Sequence, residues 1–288
     1  MKTYLVKEAD LAGVATDALC TMSIGTKFNH HGLVLDFTKA GVMSTEAEIV
    51  AEITTISLAV KIKGGPNIRL LKDIPSHVLF DILNEYREQS KSGYTYAGCL
   101  YIPFTRPDLG TLVDPNALVI GMTDIESYQL QVQCGTLTTI DKIGVLPEID
   151  KGPARPLGEH IRFERWERTH AAVGIDPVSE LPFGEPNTAL LGYHIHDAVT
   201  GVVRDVEVRF DGQLIHDPLS VAQNNVLLHK AGRTPIADYF HVDFNRKGSA
   251  LPVGIAKSFR QKIYWGTAPD GYDIYTEMIY GLGSKNYA

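Results

Sequence analysis

His194 and His196, in the run His194-Ile-His196, come nearest in type and spacing to a chemical site. Two positions apart on a strand, both imidazoles point to one face, the arrangement that metal-binding jelly-roll enzymes of the cupin type use. Such a site adds a glutamate a few residues on and a further histidine after a Pro/Gly turn. Here Asp197 and Ala-Val-Thr-Gly-Val-Val follow, and the next glutamate is Glu207. The metal pattern is incomplete, and the plainer reading is a pair satisfied by local hydrogen bonds near a sheet edge. His30 and His31 are adjacent, so on a strand they face opposite ways and cannot chelate together. His77, His160, His170, His216, His229 and His241 are scattered without ligand spacing.

The carboxylates are equally inconclusive. Glu46 and Glu48 alternate with Ala47 and Ile49, and Asp205 and Glu207 share a strand face. Paired acids can serve a glycosidase or hold calcium, and at a subunit interface they are candidates for a structural divalent ion. A solvated β-face is the default for both pairs. No G-x-S-x-G serine motif, P-loop or dinucleotide glycine pattern is present. Cys20, Cys99 and Cys134 are an odd, widely spaced set with neither metal-type spacing nor a disulfide framework, and Cys99 and Cys134 sit in apolar strand-like stretches as small hydrophobes. No constellation rises to catalysis: no catalytic residue, cofactor-binding residue, metal ligand or bound cofactor is expected, and the chain reads as a non-enzyme.

The bulk composition sets the frame for these residues. At 44% hydrophobic and 21% charged, the 288 residues can bury real cores, which excludes disorder and suits two domains. No run approaches the ~18 apolar residues of a membrane span. The charges in Met1–Asp10 come too early for a secretory signal, so folding without export is expected. A net charge of −7 argues against a dedicated nucleic-acid surface.

Strand alternation dominates the elements. Ile56, Leu58, Val60 and Ile62 line one face before the turn Gly64-Gly65-Pro66-Asn67; Tyr128, Leu130, Val132 and Cys134 alternate with glutamines. Val206 and Val208 lead into Asp211-Gly212, a hairpin pair. Asp273–Tyr280 repeats the style less cleanly. Two helices are expected, one from Ser76 as N-cap with Leu79, Ile82, Leu83 and Tyr86 on one face, the other from Ser220 to Lys230, stopped by Gly232. Arg162, Arg165 and Arg168 would share one helical face and Phe163 and Trp166 another, so residues 162–170 are read as a short helix. That helix is expected to clamp one half to the other rather than to bind lipid headgroups or nucleic acid.

The halves resemble each other. Ala97-Gly-Cys-Leu-Tyr-Ile-Pro-Phe-Thr-Arg106 aligns without gaps on Ala237-Asp-Tyr-Phe-His-Val-Asp-Phe-Asn-Arg246, with Ala97, Phe104 and Arg106 matched identically. Around this anchor each half has a strand, a Gly turn, an Asp/Pro-led helix, a strand ending in Arg, and a closing strand ending at Gly135 or Gly281. Four elements in one order indicate duplication. The expected fold is all-β: two tandem jelly-roll β-barrels with one short helix inserted in each. Its divisions are an N-terminal arm over 1–22, a first barrel over 23–148, an inter-barrel linker with a short helix over 149–187, and a second barrel over 188–288.

Gly192-Tyr-His-Ile, Val206-Glu-Val-Arg-Phe-Asp-Gly212, the Asp-led helix, Tyr239-Phe-His-Val-Asp-Phe244 and Glu277-Met-Ile-Tyr280 resemble the double jelly-roll major capsid proteins of tailless, membrane-containing icosahedral bacteriophages, the corticovirus coat protein above all. The stretch Arg162 to Pro182 is similar too; the likeness is good over roughly 150–288 and weaker over 20–145. The resemblance implies two jelly rolls side by side, and a homotrimer that forms a pseudo-hexagonal capsomer of the virion shell. It also implies contacts with neighbouring capsomers, a vertex (penton) protein and an internal membrane or its proteins, with assembly in the host cytoplasm. Residues 1–22 and the loop near 105–115 vary in such proteins. Two rival functions remain from the residues themselves: a metal-dependent cupin-like enzyme using His194 and His196, and a carbohydrate-binding jelly roll presenting Tyr264 and Trp265.

Overall fold

The computed structural model describes residues 2–87, 98–106, 109, 118–178, 186–196, 202–245, 250–253 and 258–281. The chain folds as two compact units that divide between Arg162 and Phe163. The first holds strands β1 (Thr3–Leu5), β2 (Leu19–Ser23), β3 (Asn29–Lys39), β4 (Val42–Met43), β5 (Ile53–Ile62), β6 (Asn67–Pro75), β7 (Cys99–Pro103), β8 (Ile125–Cys134) and β9 (Lys142–Asp150). Its helical pieces are α1 (Glu46–Glu52) and α2 (Ser76–Val78), the latter continued by π-helical turns over Leu79–Tyr86. Strand β10 (His160–Arg168) crosses into the second unit, which adds β11 (Gly174–Val178), β12 (Thr188–His196), β13 (Val202–Phe210), β14 (Gln213–Ser220), α3 (Val221–Lys230), β15 (Tyr239–Asp243), β16 (Phe259–Thr267) and β17 (Tyr272–Tyr280).

Each unit is a pair of four-stranded antiparallel layers. In the first, β1, β9, β3 and β7 form one layer, with β4 sharing the outer edge of β3, and β6-β5-β8-β2 form the other. In the second, β10-β17-β12-β15 face β14-β13-β16-β11. The orders correspond strand for strand, which makes each unit the same jelly roll. Alternation sets the cores: Ile56, Leu58 and Val60 of β5 and Tyr128, Leu130 and Val132 of β8 are fully buried in the first barrel. In the second, Tyr193, Ile195, Val206, Val208, Phe240 and Trp265 pack into one cluster.

The duplication extends to irregularities that strand propensity alone would not repeat. The β3–β9 ladder slips between His30 and Gly32, and the β12–β17 ladder slips between Leu190 and Gly192. Beside these bulges, His30 exchanges two backbone hydrogen bonds with Ile120, and Leu190 exchanges two with Leu251. Phe104 N–H then donates to His31 O at 2.9 Å, and Phe244 N–H to Leu191 O at 2.9 Å. The expected anchor alignment therefore holds in three dimensions, with Phe104 buried and Phe244 packed against the second core. Arg106 is buried, whereas Ala97 and Arg246 lie outside the described residues. Glycine follows both bulges for lack of room: a Cβ on Gly32 would stand 2.6 Å from the Tyr101 ring, and one on Gly192 2.7 Å from Val242 O.

Five local expectations give way. Residues 162–168, expected as a helix, run in strand β10. Phe163 and Arg165 lie on the face of Tyr275 and Asp273, and Trp166 lies on the core side, where Nε1–H donates to Thr276 Oγ1 at 3.2 Å. An aromatic on each face mimics helical spacing. The segment 149–187 thus supplies β10 and β11 to the second barrel, and the expected N-terminal arm 1–22 contributes β1, paired with β9, and most of β2, paired with β8. Residues 46–52 form helix α1 rather than a strand face, because Thr45 and Glu48 make a capping box, Glu48 Oε2 accepting from Thr45 N–H at 2.6 Å. Ser76 does not cap its helix; its hydroxyl donates to Ile53 O, and Pro75 occupies the N-cap.

The helix expected from Ser220 forms as α3. Ser220 and Gln223 make a second capping box, and Arg233 N–H to Leu228 O with Gly232 N–H to His229 O close a Schellman motif on Gly232, at φ +82°. The Asp211-Gly212 turn has φ of +48° and +79°, the type I′ geometry its sequence predicts.

Candidate functional site

The strand β12 carries His194 into the buried outer face of its sheet, opposite His241 of β15 and beside Glu277 of β17. His241 Nε2 accepts from Ile236 N–H at 3.1 Å, which places the ring proton on Nδ1. That proton is donated to His194 Nδ1 at 2.7 Å, leaving His194 to donate from Nε2 to Glu277 Oε1 at 2.9 Å. The hydrogen-bond network thus assigns a relay of two neutral imidazoles ending on a carboxylate. Burial holds the His241 ring neutral, with its pKa pushed down to about 3. Asn224 of α3 donates to His241 O, and Arg233 pairs with Asp243 at 2.8 Å, so the same cluster pins α3 and the segment after it to the sheet.

Both nitrogens of His194 are engaged by protein atoms. His196 stacks on Tyr239 at 4.4 Å between ring centroids. The two histidines therefore do not form a pair of ligands, and no group of three or more His, Cys, Asp or Glu side chains among the described residues is placed to hold a metal ion. Asp197 lies outside the described residues. His241 and Glu277, the true partners of His194, were not singled out by spacing. The signal lay in register, since His194 pairs across the ladder with His241.

The first barrel builds the same corner with other side chains. Gly32 faces Glu148 across the β3–β9 ladder as Gly192 faces Glu277, and Val34 pairs with Tyr101 as His194 pairs with His241. Tyr101 reaches Glu148 directly, donating to Oε2 at 2.7 Å. His30 and His31 diverge as expected, His30 bonding Gly25 O and His31 meeting buried Asp150 at 2.7 Å. Asp150 also accepts from Asn29 and from Gly152 N–H, which ties the chain leaving β9 to the barrel.

The remaining candidates separate. Asp205 pairs with Arg204 at 2.7 Å, and Glu207 with Arg209 at 2.7 Å and Lys262 at 3.3 Å. The Arg209 hydrogen bond holds the Glu207 carboxyl below its ordinary range. Glu46 instead is raised by desolvation with help from Glu85 and Asp81, while Glu48 is spent on capping. Trp265 is in the core and Tyr264 on the opposite face, so they do not present an aromatic pair. Cys20 and Cys134 are buried with their sulfurs 3.9 Å apart; Cys99 is half-buried.

The side-chain clusters secure the barrels, and the repeated barrel itself is the feature shared with known proteins. Residues 161–282 match the family model of the viral coat protein P2 C-terminal domain. A search of curated proteins gives no match. Among solved structures, 99% of this chain superposes on 100% of the major capsid protein P2 from bacteriophage PM2, with a TM-score of 0.78 and 18% identity. All of it superposes on 92% of a chain of Sulfolobus turreted icosahedral virus (TM-score 0.65, 8% identity). It also covers 97% of a chain of the PBCV-1 virus capsid (TM-score 0.60, 12% identity). At these identities the superpositions establish the fold, and the family match supplies the coat-protein assignment. The chain has the double jelly-roll fold of viral major capsid proteins, and over residues 161–282 it matches the viral coat protein P2 C-terminal domain.

Proposed function

We propose that three copies of this chain assemble into a pseudo-hexagonal capsomer, and that these capsomers tile an icosahedral shell as the major component of a virion. Self-assembly is then its whole activity, with no chemical step. The observation that carries this reading is the strand-for-strand repeat, down to the bulges at His31 and Leu191. Three subunits with two such barrels present six similar walls to their neighbours. A trimer can then occupy a hexagonal lattice while the two barrels evolve different contacts.

A permanent trimer of this kind buries roughly 2,000 Å² or more per interface. The same reading places neighbouring capsomers, a vertex protein and an internal membrane or its proteins around the assembled chain, and its synthesis and assembly in the host cytoplasm. Sedimentation velocity with negative-stain imaging tests it: the expected result is a stable trimer with hexagonal outline, and a chain that stays monomeric at all concentrations refutes it. The metal-enzyme and carbohydrate-binding readings gain no support, since His194 and His196 do not converge and Tyr264 and Trp265 face apart.

A further inference from the structure

The two barrels repeat one three-strand face and dress it in opposite ways. In the first barrel, β2, β8 and β5 align the outward rows Thr21–Gln131–Ser57 and Ser23–Gln129–Ala59. None of these side chains is charged, and the next row, Leu19–Gln133–Thr55, is uncharged as well; charge returns only at the borders of the face, at Arg69 and Asp73 on the neighbouring β6 and at Lys61 at the end of β5. In the second barrel the corresponding strands β11, β16 and β13 align Ile175–Tyr264–Asp205 and Pro177–Lys262–Glu207, followed by Arg260 opposite Arg209. That face is laced by the Arg204–Asp205, Glu207–Arg209 and Glu207–Lys262 ion pairs.

A face that only meets water has no reason to shed its charges, and the second barrel shows what this fold does with such a face. A face that meets another copy has a reason. Each copy carries a net charge of −7, so copies repel, and charges trapped at their contact must be desolvated. Glutamine amides and threonine hydroxyls both donate and accept, so they can bond a neighbour's polar groups without charge matching. Leu19, 57% exposed on β2, the outermost strand of this layer, adds apolar area at the rim of the same face.

We infer that this uncharged face of the first barrel is where a second copy of the chain docks; the inference rests on the trimer reading above. From strand spacing, each outward position covers about 30 Å², so the three rows cover about 300 Å². That is the centre of a contact whose full footprint is ~800 Å² per partner.

The test introduces a charge at the middle of the central row. Gln131→Arg in the full chain is expected to raise the concentration for half-assembly by about a hundredfold, read by sedimentation velocity, through an unpaired charge buried at the contact. Lys262→Gln, on the corresponding face of the second barrel, is expected to leave the trimer intact. If Gln131→Arg lowers the melting temperature of the isolated chain, Thr21→Arg on the outer strand is judged by the same criterion. A wild-type chain that stays monomeric overturns the trimer reading and this inference with it. A wild-type trimer that tolerates the arginine, or that Lys262→Gln dissociates equally, overturns the inference alone.

Discussion

Acid should unfold this protein through three histidines buried in their neutral form. His30 and His160 have pKa values pushed down to about 4, and His241 to about 3, in each case chiefly by desolvation. The geometry shows why a proton is unwelcome. His30 donates from Nε2 to Gly25 O, and its Nδ1 is buried without a partner. His160 Nε2 accepts from Arg162 Nε at 3.4 Å, and His241 Nε2 accepts from Ile236 N–H. Below about pH 6.5 the unfolded chain takes up protons at these sites and the folded chain does not, so stability is complete above 6.5 and falls as pH drops. Each site contributes a slope of about 1.4 kcal/mol per pH unit, hence about 4 for all three, until the folded pKa values are reached. At about pH 5 the loss is about 2 kcal/mol per histidine and about 6 in all, comparable with the ~5–15 kcal/mol stability of a typical protein. Urea denaturation of the unassembled chain at stepped pH measures this directly. His30→Gln keeps a donor for Gly25 O and should remove about a third of the slope. A denaturation midpoint that is flat between neutrality and about pH 5, or a slope unchanged by His30→Gln, refutes the reasoning.

Three further outcomes follow from packing. Gly192→Ala would set its Cβ 2.7 Å from Val242 O, a backbone atom that cannot swing aside, and should cost about 2 kcal/mol by urea denaturation. Gln261 is 1% exposed among core residues with neither amide atom hydrogen-bonded, so Gln261→Met should raise the melting temperature by about 2–4 °C in calorimetry. Ser220→Ala removes one side of the α3 capping box and should lower stability by about 1 kcal/mol, with Ser220→Thr largely restoring it.

Where a strand has one buried face, its sequence was readable. β5 and β8 alternate cleanly, and Asp211-Gly212 announced its turn. Strands covered on both faces were not. β10 has Phe163 on one side and Trp166 on the other, and this broke the two-residue period into a helix-like one. Pro177 would break an inner strand, yet β11 is an edge strand, where a missing N–H costs no ladder bond on its open side. Helix α1 was legible in retrospect as Thr45-x-x-Glu48, but the same letters read as an acidic strand face. The His194 cluster was half legible: the strand and its face could be read, whereas Glu277 and His241 join it only through the pairing of β12 with β17 and β15.

The two equivalent corners offer a stricter test of duplication than superposition does. Val34, Tyr101 and Glu148 in the first barrel hold the ladder positions of His194, His241 and Glu277 in the second. One corner spans the gap to the carboxylate with a single tyrosine, the other with two imidazoles in series. If the backbones are equivalent, the solutions should be interchangeable as sets and not as parts. His194→Val alone removes one donor to buried Glu277 and should cost about 2–3 kcal/mol, the scale of a hydrogen bond to a charged group. Adding His241→Tyr supplies a phenol aimed as Tyr101 is aimed, and should recover most of that loss. Because His241 is then gone, the double variant should also lose about a third of the acid slope predicted above. Urea denaturation of the two singles and the double closes the cycle. A double variant no more stable than His194→Val would mean that the corners share strand order but not the geometry that duplication requires.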